Sequence, residues 1–234
     1  MNDFSDAFAA AFSLILNFEA SLAEIVGLSL QISFVAVLLA SLIGLPLGAA
    51  LAVFHFPGRK TLIVTLNALM GLPPVVVGLI VYLILSRSGP LGTLGLLFTP
   101  TAMIIAQTIL IMPIIAALTR QSTETLWDEY AEQFRSLGTG PGETVISLLW
   151  DNRFNLMTTI LAGFGRASAE VGAVMIVGGN IDHVTRVMTT TIALETSKGD
   201  LALALGLGVI LLCLALGVNA AAYLINEAAL KRHG

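Results

Sequence analysis

Two charged side chains stand inside an otherwise apolar stretch, in the segment GFGRASAEVGA at residues 163–173. Arg166 and Glu170 are four residues apart, so on one α-helix they would share a face and could form an ion pair. Charges at membrane depth are costly unless they face protein or water. Two interpretations stay open: a salt bridge that fixes this helix to a neighbour, or a polar path through the membrane that also includes Ser168.

The segments that must position these charges are predicted to be transmembrane helices. The chain has 234 residues, of which 56% are hydrophobic and only 11% charged, which is far from the balance of a soluble domain. A bilayer core about 30 Å thick needs about 20 apolar residues of helix. Five segments meet this requirement, at 24–54, 62–86, 100–120, 156–178 and 201–226. The predicted fold is an all-α polytopic membrane bundle, a single domain over residues 1–234, in which residues 4–18 suit either an interfacial helix or a short sixth span.

The positively charged residues predict the orientation, because Lys and Arg concentrate in cytoplasmic loops. If the region before residue 24 lies outside, most of them face the cytoplasm. That group is Arg59, Lys60, Arg120, Arg135, Arg153, Lys231 and Arg232. The C-terminus and the polar insert at 121–155 are then cytoplasmic.

The insert is predicted to carry a short amphipathic helix. Thr125 opens the sequence TLWD, which has the form of a capping box at a helix start. Gly138 is a typical helix stop, and Pro141 is expected to keep the helix from resuming. Between them an apolar stripe at helical spacing is formed by Trp127, Tyr130, Phe134 and Leu137. This helix either lies against the protein's own surface or the headgroups, or inserts into a groove of a partner.

The same segment resembles a known family. EQFRSLGTGPGETVISLLW, residues 132–150, is similar to the EAA loop of permease subunits of ATP-binding cassette (ABC) importers. Glu132, Gly138 and Leu148 match the motif in register, whereas Gln133 and Phe134 replace its two alanines. The resemblance implies that the loop is a coupling helix seated in a groove of an ATPase subunit. The motif and the apolar stripe together give the candidate coupling residues Trp127, Tyr130, Glu132, Phe134, Arg135 and Gly138.

Three further segments resemble the permeases of tungstate and molybdate importers, most closely the tungstate type. They are GLPPVVVGLIVYLILSRSGPLGTLGLLFTP, GRASAEVGAVMIVGGN and TRVMTTTIALETSKGD. The resemblance implies a type I importer permease in the cytoplasmic (inner) membrane that works as a homodimer. Its partners would be an ATPase subunit, which carries ATP and Mg²⁺, and an oxyanion-binding protein on the outside. This chain itself would hold no cofactor or metal and no catalytic site.

Candidate sites follow from the residues and from the resemblance together. The translocation path would include Pro73, Pro74, Arg166, Ser168 and Glu170, because a tetrahedral dianion needs positive charge or hydrogen-bond donors in the membrane. The binding protein would dock on Asn180, Asp182, Arg186 and Lys198, in the stretch 178–200, whose apolar centre suits a short helix along the outer rim. The less specific alternatives are a packing kink at the two prolines and an ordinary connection at 178–200.

Two other function classes compete with an ABC permease. A proton-coupled anion carrier would use Arg166 and Glu170 as its relay and would need no ATPase. A membrane-embedded enzyme is disfavoured, because the spans contain no HExxH sequence and no nucleophile with a base at a recognisable spacing. The loop GTGPGET lacks the Gly-Lys-Ser/Thr ending of a phosphate-binding loop, so ATP would be handled by another subunit. The sequence does not separate tungstate from molybdate.

Overall fold

The computed structural model of the protein describes residues 13 and 20–233. The expected interfacial or transmembrane segment at residues 4–18 lies outside the described residues apart from Ser13, and it stays a prediction. Within the described residues every regular element is helical, which confirms the predicted fold class. Nine α-helices and a short 3₁₀ turn at Gly92–Leu94 are present in this part of the chain. The helices are α1 Ala20–Val53, α2 Arg59–Leu69, α3 Pro74–Leu85, α4 Pro100–Ser136, α5 Pro141–Asp151, α6 Arg153–Ser168, α7 Gly172–Gly178, α8 Met188–Lys198 and α9 Leu201–His233.

In the part of the chain that the structure describes, three helices are long and apolar enough to cross a bilayer by themselves: Ser21–Val53 of α1, Pro100–Ser136 of α4 and Leu201–Ala221 of α9. Two further spans are counted only if the bent pairs α2 with α3 and α6 with α7 are each taken as one crossing. The five predicted spans therefore correspond to three single helices and two broken ones. The protein is a multi-pass helical membrane protein.

The largest departure from the predicted elements is the length of α4. The third span was expected to end near residue 120, but α4 continues for 37 residues to Ser136. Between residues 114 and 136 the sequence contains no glycine or proline, and good helix formers fill the polar part. The α-helix therefore continues from the apolar segment into the polar segment without a break.

One compact unit is built from described residues 20–35, Pro74–Gln107 and Ser168–Ala221. Its apolar core includes Leu22, Met188 and Leu207, all at most 5% exposed. Helices α3 and α7 pack closely, since a Cβ atom placed on Gly78 would lie 2.8 Å from the Cα atom of Ala173. A glycine is therefore required at this crossing.

The second unit contains Ala36–Pro73, Thr108–Ala167 and the end of α9. Here α1 crosses α4 at Gly44 and Gly48, where an added Cβ would meet the side chain of Ile115 at 3.0 Å and the carbonyl oxygen of Ala116 at 2.4 Å, respectively. The pair Gly44 and Gly48 has the small-xxx-small spacing that permits such close helix contacts. Pro46 lies between them, inside a helix that stays continuous.

Candidate functional site

The polar insert is folded as a helical elbow, which we define as residues 127–152: the end of α4, the turn 137–140, helix α5 and Asn152. Helix α4 ends at Ser136, and Gly138 takes the left-handed conformation with φ of +66°. The N–H of Gly138 donates to the carbonyl of Arg135, and the N–H of Thr139 donates to that of Phe134. These bonds close the last turn as in a glycine C-cap. The predicted stop at Gly138 is confirmed.

Two predictions about the ends of this helix were wrong. Thr125 does not cap a helix start, because it lies inside α4 and its hydroxyl donates to the carbonyl of Gln121 at 3.3 Å. Ser and Thr make this bond inside helices as well as at their ends. Pro141 does not prevent a further helix: it is the first residue of α5, where its missing N–H costs nothing. The N–H of Gly140 donates to the carboxylate of Glu143 and supports this start.

The predicted apolar stripe exists, but at the end of a long helix. The rings of Trp127 and Phe134 stack with their centroids 6.3 Å apart. The guanidinium carbon of Arg135 lies 5.9 Å from the centre of the Trp127 ring. Tyr130 is half-buried and Glu132 is exposed. The side chains of Trp127 and Phe134 thus pack partly against each other within α4.

The outward face of the elbow carries apolar residues that the sequence analysis did not assign to coupling. Ile146 and Trp150 are each 69% exposed, and Leu137 in the turn is 75% exposed. On α5 the buried residues Thr144 and Leu148 occupy other positions. The signal in the sequence is the spacing of Ile146 and Trp150, which places them on one face of any helix beginning at Pro141.

A buried asparagine fixes the base of the elbow. Asn152 is the single residue between α5 and α6 and is 1% exposed. Its amide nitrogen donates to Ser122 Oγ at 2.7 Å and to Thr123 Oγ1 at 3.2 Å, both on α4. Its carbonyl oxygen accepts from the amide of Asn155 at 3.0 Å.

A charged cluster lies on α4 next to this joint. Nη2 of Arg59 lies 2.7 Å from Oε1 of Glu124, and Arg120 pairs with the other oxygen of the same carboxylate. Arg59 also donates from Nε to the carbonyl of Leu51 at 2.8 Å, at the end of α1. Three helices of the second unit are therefore joined by one carboxylate and two arginines, which were predicted from their charge to lie at one membrane face.

The candidate path residues lie at the two helix breaks. Pro73 falls between α2 and α3, and Pro74 is the first residue of α3, so the predicted interruption at these prolines is confirmed. The expectation that Arg166 and Glu170 share one helix was wrong, because α6 ends at Ser168 and Glu170 lies in the link before α7. No glycine or proline marks this break, since Ala169, Glu170 and Val171 form it.

Glu170 is 4% exposed and acts on the local backbone. Its Oε1 accepts the N–H of Ala173 at 3.1 Å, and its main-chain oxygen accepts the hydroxyl of Thr189 at 2.8 Å. The Glu170 carboxylate thus accepts a hydrogen bond from the first turn of α7, where negative charge is favourable.

The candidate rim residues belong to the first unit. Asn180, Asp182 and Arg186 lie in the loop between α7 and α8, and Lys198 is the last residue of α8. Each has a local partner: Asn180 accepts from Thr190 at 2.9 Å, Arg186 donates to Asp182 at 2.7 Å, and Lys198 donates to Glu195 at 2.8 Å. The short helix expected in the stretch 178–200 is confirmed as α8.

The same loop contains a contact that sequence analysis missed. His183 Nδ1 donates to Glu24 Oε2 at 2.8 Å, joining the loop to the first turns of α1. The pKa of His183 is raised above 6.5, mainly by this hydrogen bond and then by the negative charge of Asp182. A cavity of about 180 Å³ beside this pair is lined by Glu24, Asp182, His183, Arg186 and Glu195 among others. No pattern within the sequence connects residues that are 159 positions apart.

These features define a class of protein: a multi-pass helical membrane protein with broken spans and a polar helical elbow beyond its longest helix. Residues 44–232 match the family model described as the inner membrane component of binding-protein-dependent transport systems. The chain belongs to this family. The permease family expected from the EAA-like motif is therefore confirmed.

Individual relatives cover most of the chain. The tungstate uptake system permease protein TupB of Peptoclostridium acidaminophilum is 38% identical over 227 residues, which are 97% of this chain and 100% of the relative. A probable anion ABC transporter permease protein of Haloferax volcanii is 41% identical over 204 residues, covering 85% of this chain and 88% of the relative. TupB of Campylobacter jejuni subsp. jejuni is 37% identical over 92% of this chain and 90% of its own length.

Proposed function

We propose that this chain is the membrane permease subunit of an ABC importer that takes up tungstate. The observation that carries the proposal is 38% identity over 97% of the chain to a protein named as a tungstate uptake permease. A second relative of the same name at 37% identity supports it. Molybdate, which has nearly the same charge and shape, is the first competitor to test.

The elbow is the proposed docking site for the ATPase subunit. Leu137, Ile146 and Trp150 offer exposed apolar side chains on a helix and turn outside the apolar part of α4. Exposed aromatic and aliphatic anchors on a short helix suit binding in a groove. ATP and Mg²⁺ are held by that partner, and no covalent chemistry is assigned to this chain.

The proposed orientation places the elbow in the cytoplasm, with the protein in the cytoplasmic membrane. The cluster of Arg59 and Arg120 around Glu124, together with Arg135 and Arg153 of the same unit, supports this assignment. Positive charge is enriched on the cytoplasmic side. The loop between α7 and α8 then lies outside, where Asn180, Asp182, Arg186 and Lys198 are candidates for receiving the binding protein.

Two copies of the chain are proposed to form the pore. One chain has one elbow, whereas ATP-binding cassettes act in pairs, so a homodimer presents two elbows to two ATPase subunits. Closure of the cassettes would move the elbows and switch the pore between outward and inward access, as a rigid-body change. The substrate path would lie at the dimer axis, with Pro73, Pro74, Arg166, Ser168 and Glu170 as candidate lining residues.

The decisive experiment is reconstitution of this chain in proteoliposomes with a tungstate-type ATPase and an oxyanion-binding protein. ATP hydrolysis and uptake are measured with tungstate, molybdate and sulfate. We expect hydrolysis to rise with tungstate-loaded binding protein and uptake to persist when a protonophore collapses the proton gradient. Uptake that needs the gradient and proceeds without ATP would instead support the proton-coupled carrier.

A further inference from the structure

The joint between α5 and α6 carries directed hydrogen bonds in addition to the buried apolar side chains of Leu148 and Leu156. Asn152 uses its amide nitrogen on two adjacent residues of α4, Ser122 and Thr123, and its carbonyl oxygen on Asn155 of α6. Thr123 is fully buried, and Asn152 is nearly so. Hydrogen bonds fix both distance and orientation, whereas apolar surfaces can slide past each other.

The same turn of α4 that binds Asn152 also binds the ends of two other helices. Glu124, the residue after Thr123, binds Arg59, which in turn donates to the main-chain oxygens of Leu51 and Ala52 at the end of α1. The joint of the elbow is thus connected through one turn of α4 to the ends of α1 and α2, all within the second unit.

We propose that Asn152 is the positioning residue that couples the elbow to α4, so that displacement of α5 moves α4 instead of bending the joint. This inference rests on the proposed function, in which an ATPase subunit binds the elbow. Asn152 itself touches neither ATP nor the transported anion. Its role is to keep the angle between α5, α6 and α4 constant while force is applied.

The test is Asn152→Leu, which keeps the branched shape of the side chain and removes all three hydrogen bonds. The full complex with ATPase and binding protein is reconstituted, and tungstate uptake and ATP hydrolysis are measured in the same vesicles. We expect the ATPase to stay attached and to hydrolyse ATP, while the tungstate taken up per ATP falls at least about tenfold, which corresponds to the loss of three neutral hydrogen bonds at the low end of their usual strength.

A matched control is Asn219→Leu. Asn219 is exposed on α9, and its amide donates to the carbonyl of Ala215 in the same helix. This variant should retain the uptake per ATP of the wild type. The ratio of uptake to hydrolysis matters because a general loss of stability would lower both quantities together.

A second variant tests the same contacts from the other side. Ser122→Ala combined with Thr123→Val removes the acceptors on α4 and leaves Asn152 in place. We expect a similar loss of uptake per ATP, and a combined loss smaller than the sum when Asn152→Leu is added, because the variants remove the same two contacts with α4. If Asn152→Leu fails to assemble, the Ser122 and Thr123 variant by itself tests the role of Asn152.

Uptake per ATP equal to that of the wild type in either variant overturns the role of Asn152. Failure of the proposed function looks different. In that case the wild-type chain neither retains an ATPase nor supports ATP-driven tungstate uptake, and both proposals fall together before any variant is compared.

Discussion

Arg59 and Glu124 are 65 residues apart in the sequence, yet Nη2 of Arg59 lies 2.7 Å from Oε1 of Glu124. Their side chains are 16% and 34% exposed, and Arg120 occupies the second oxygen of the carboxylate. One anion therefore neutralises two cations at a place where α1, α2 and α4 meet. Replacing Glu124 should therefore lower the stability of the fold more than replacing either arginine.

Glu124→Gln should lower the unfolding temperature in detergent more than Arg120→Gln does, with a cost of roughly 1–3 kcal/mol for a half-buried charge cluster. Glu124→Gln leaves two arginines that repel each other. Combining it with Arg120→Gln should therefore recover part of the loss. Lys60→Gln, at an exposed neighbouring position, is the control. A double variant that unfolds at a lower temperature than Glu124→Gln alone would contradict this electrostatic account.

The pair of His183 and Glu24 should make stability depend on pH. Since the folded-state pKa of His183 is raised above 6.5 by Glu24 and Asp182, the pair stabilises the fold fully below that pH. The contribution disappears as the pH rises through the raised pKa. The unfolding temperature of His183→Gln should thus lie below that of the wild type at about pH 5 and approach it by about pH 8.

The control for this pH series is His55→Gln, since His55 is exposed and contacts only the nearby carbonyl of Val53 among its described hydrogen bonds. This variant should follow the wild-type curve. A difference between His183→Gln and the wild type that widens toward alkaline pH would mean that the neutral imidazole is the stabilising form.

Gly48→Ala should destabilise the second unit. The new Cβ would lie 2.4 Å from the main-chain oxygen of Ala116 and 2.8 Å from Cβ of Thr119, and neither can move without shifting α4. Overpacking of this kind costs about 1–3 kcal/mol. Gly27→Ala on the same helix has no atom within 4 Å and should be neutral or slightly stabilising. Folded yield and unfolding temperature in detergent distinguish the two, and equal values would refute the close crossing of α1 and α4.

Ile146→Ala with Trp150→Ala should weaken attachment of the ATPase at least about tenfold, because central exposed anchors dominate binding in such interfaces. Co-purification with the ATPase measures this effect. Trp127→Ala should act differently: it removes the stacking on Phe134 and should lower the unfolding temperature along with binding. Val64→Ala, an exposed apolar residue outside the elbow, is the control. Unchanged co-purification of the Ile146 and Trp150 variant would show that the ATPase docks on another surface.

The sequence was sufficient to predict the five membrane-spanning segments, because long apolar segments allow few alternatives in a membrane. It did not predict α5 or the break between α6 and α7. It was less informative about where the helices end. Thr125 and Asp128 match a capping box by type, but a local pattern does not reveal that the preceding backbone is already helical. Pro141 predicts a stop by its type, although proline is equally suited to the first turn of a new helix. The break after Ser168 lacks the usual glycine or proline.

Only the part of the candidate site that depends on local sequence spacing could be predicted. Gly138 and the stripe on α4 depend on local spacing, which can be seen in the sequence. The contacts of Asn152 with Ser122 and Thr123, and of His183 with Glu24, join residues 29, 30 and 159 positions apart. Such contacts depend on how the helices pack, and no residue pattern in a single sequence encodes them.

The 37 residues of α4 correspond to about 55 Å at about 1.5 Å per residue, whereas the apolar interior of a bilayer is about 30 Å thick. About 25 Å of continuous helix is left over as a stalk. A change of about 10° in the tilt of such a rod displaces a point about 25 Å beyond its pivot by about 4 Å. Because α4 is one continuous helix, a small change in its tilt within the membrane would displace the elbow by several ångströms.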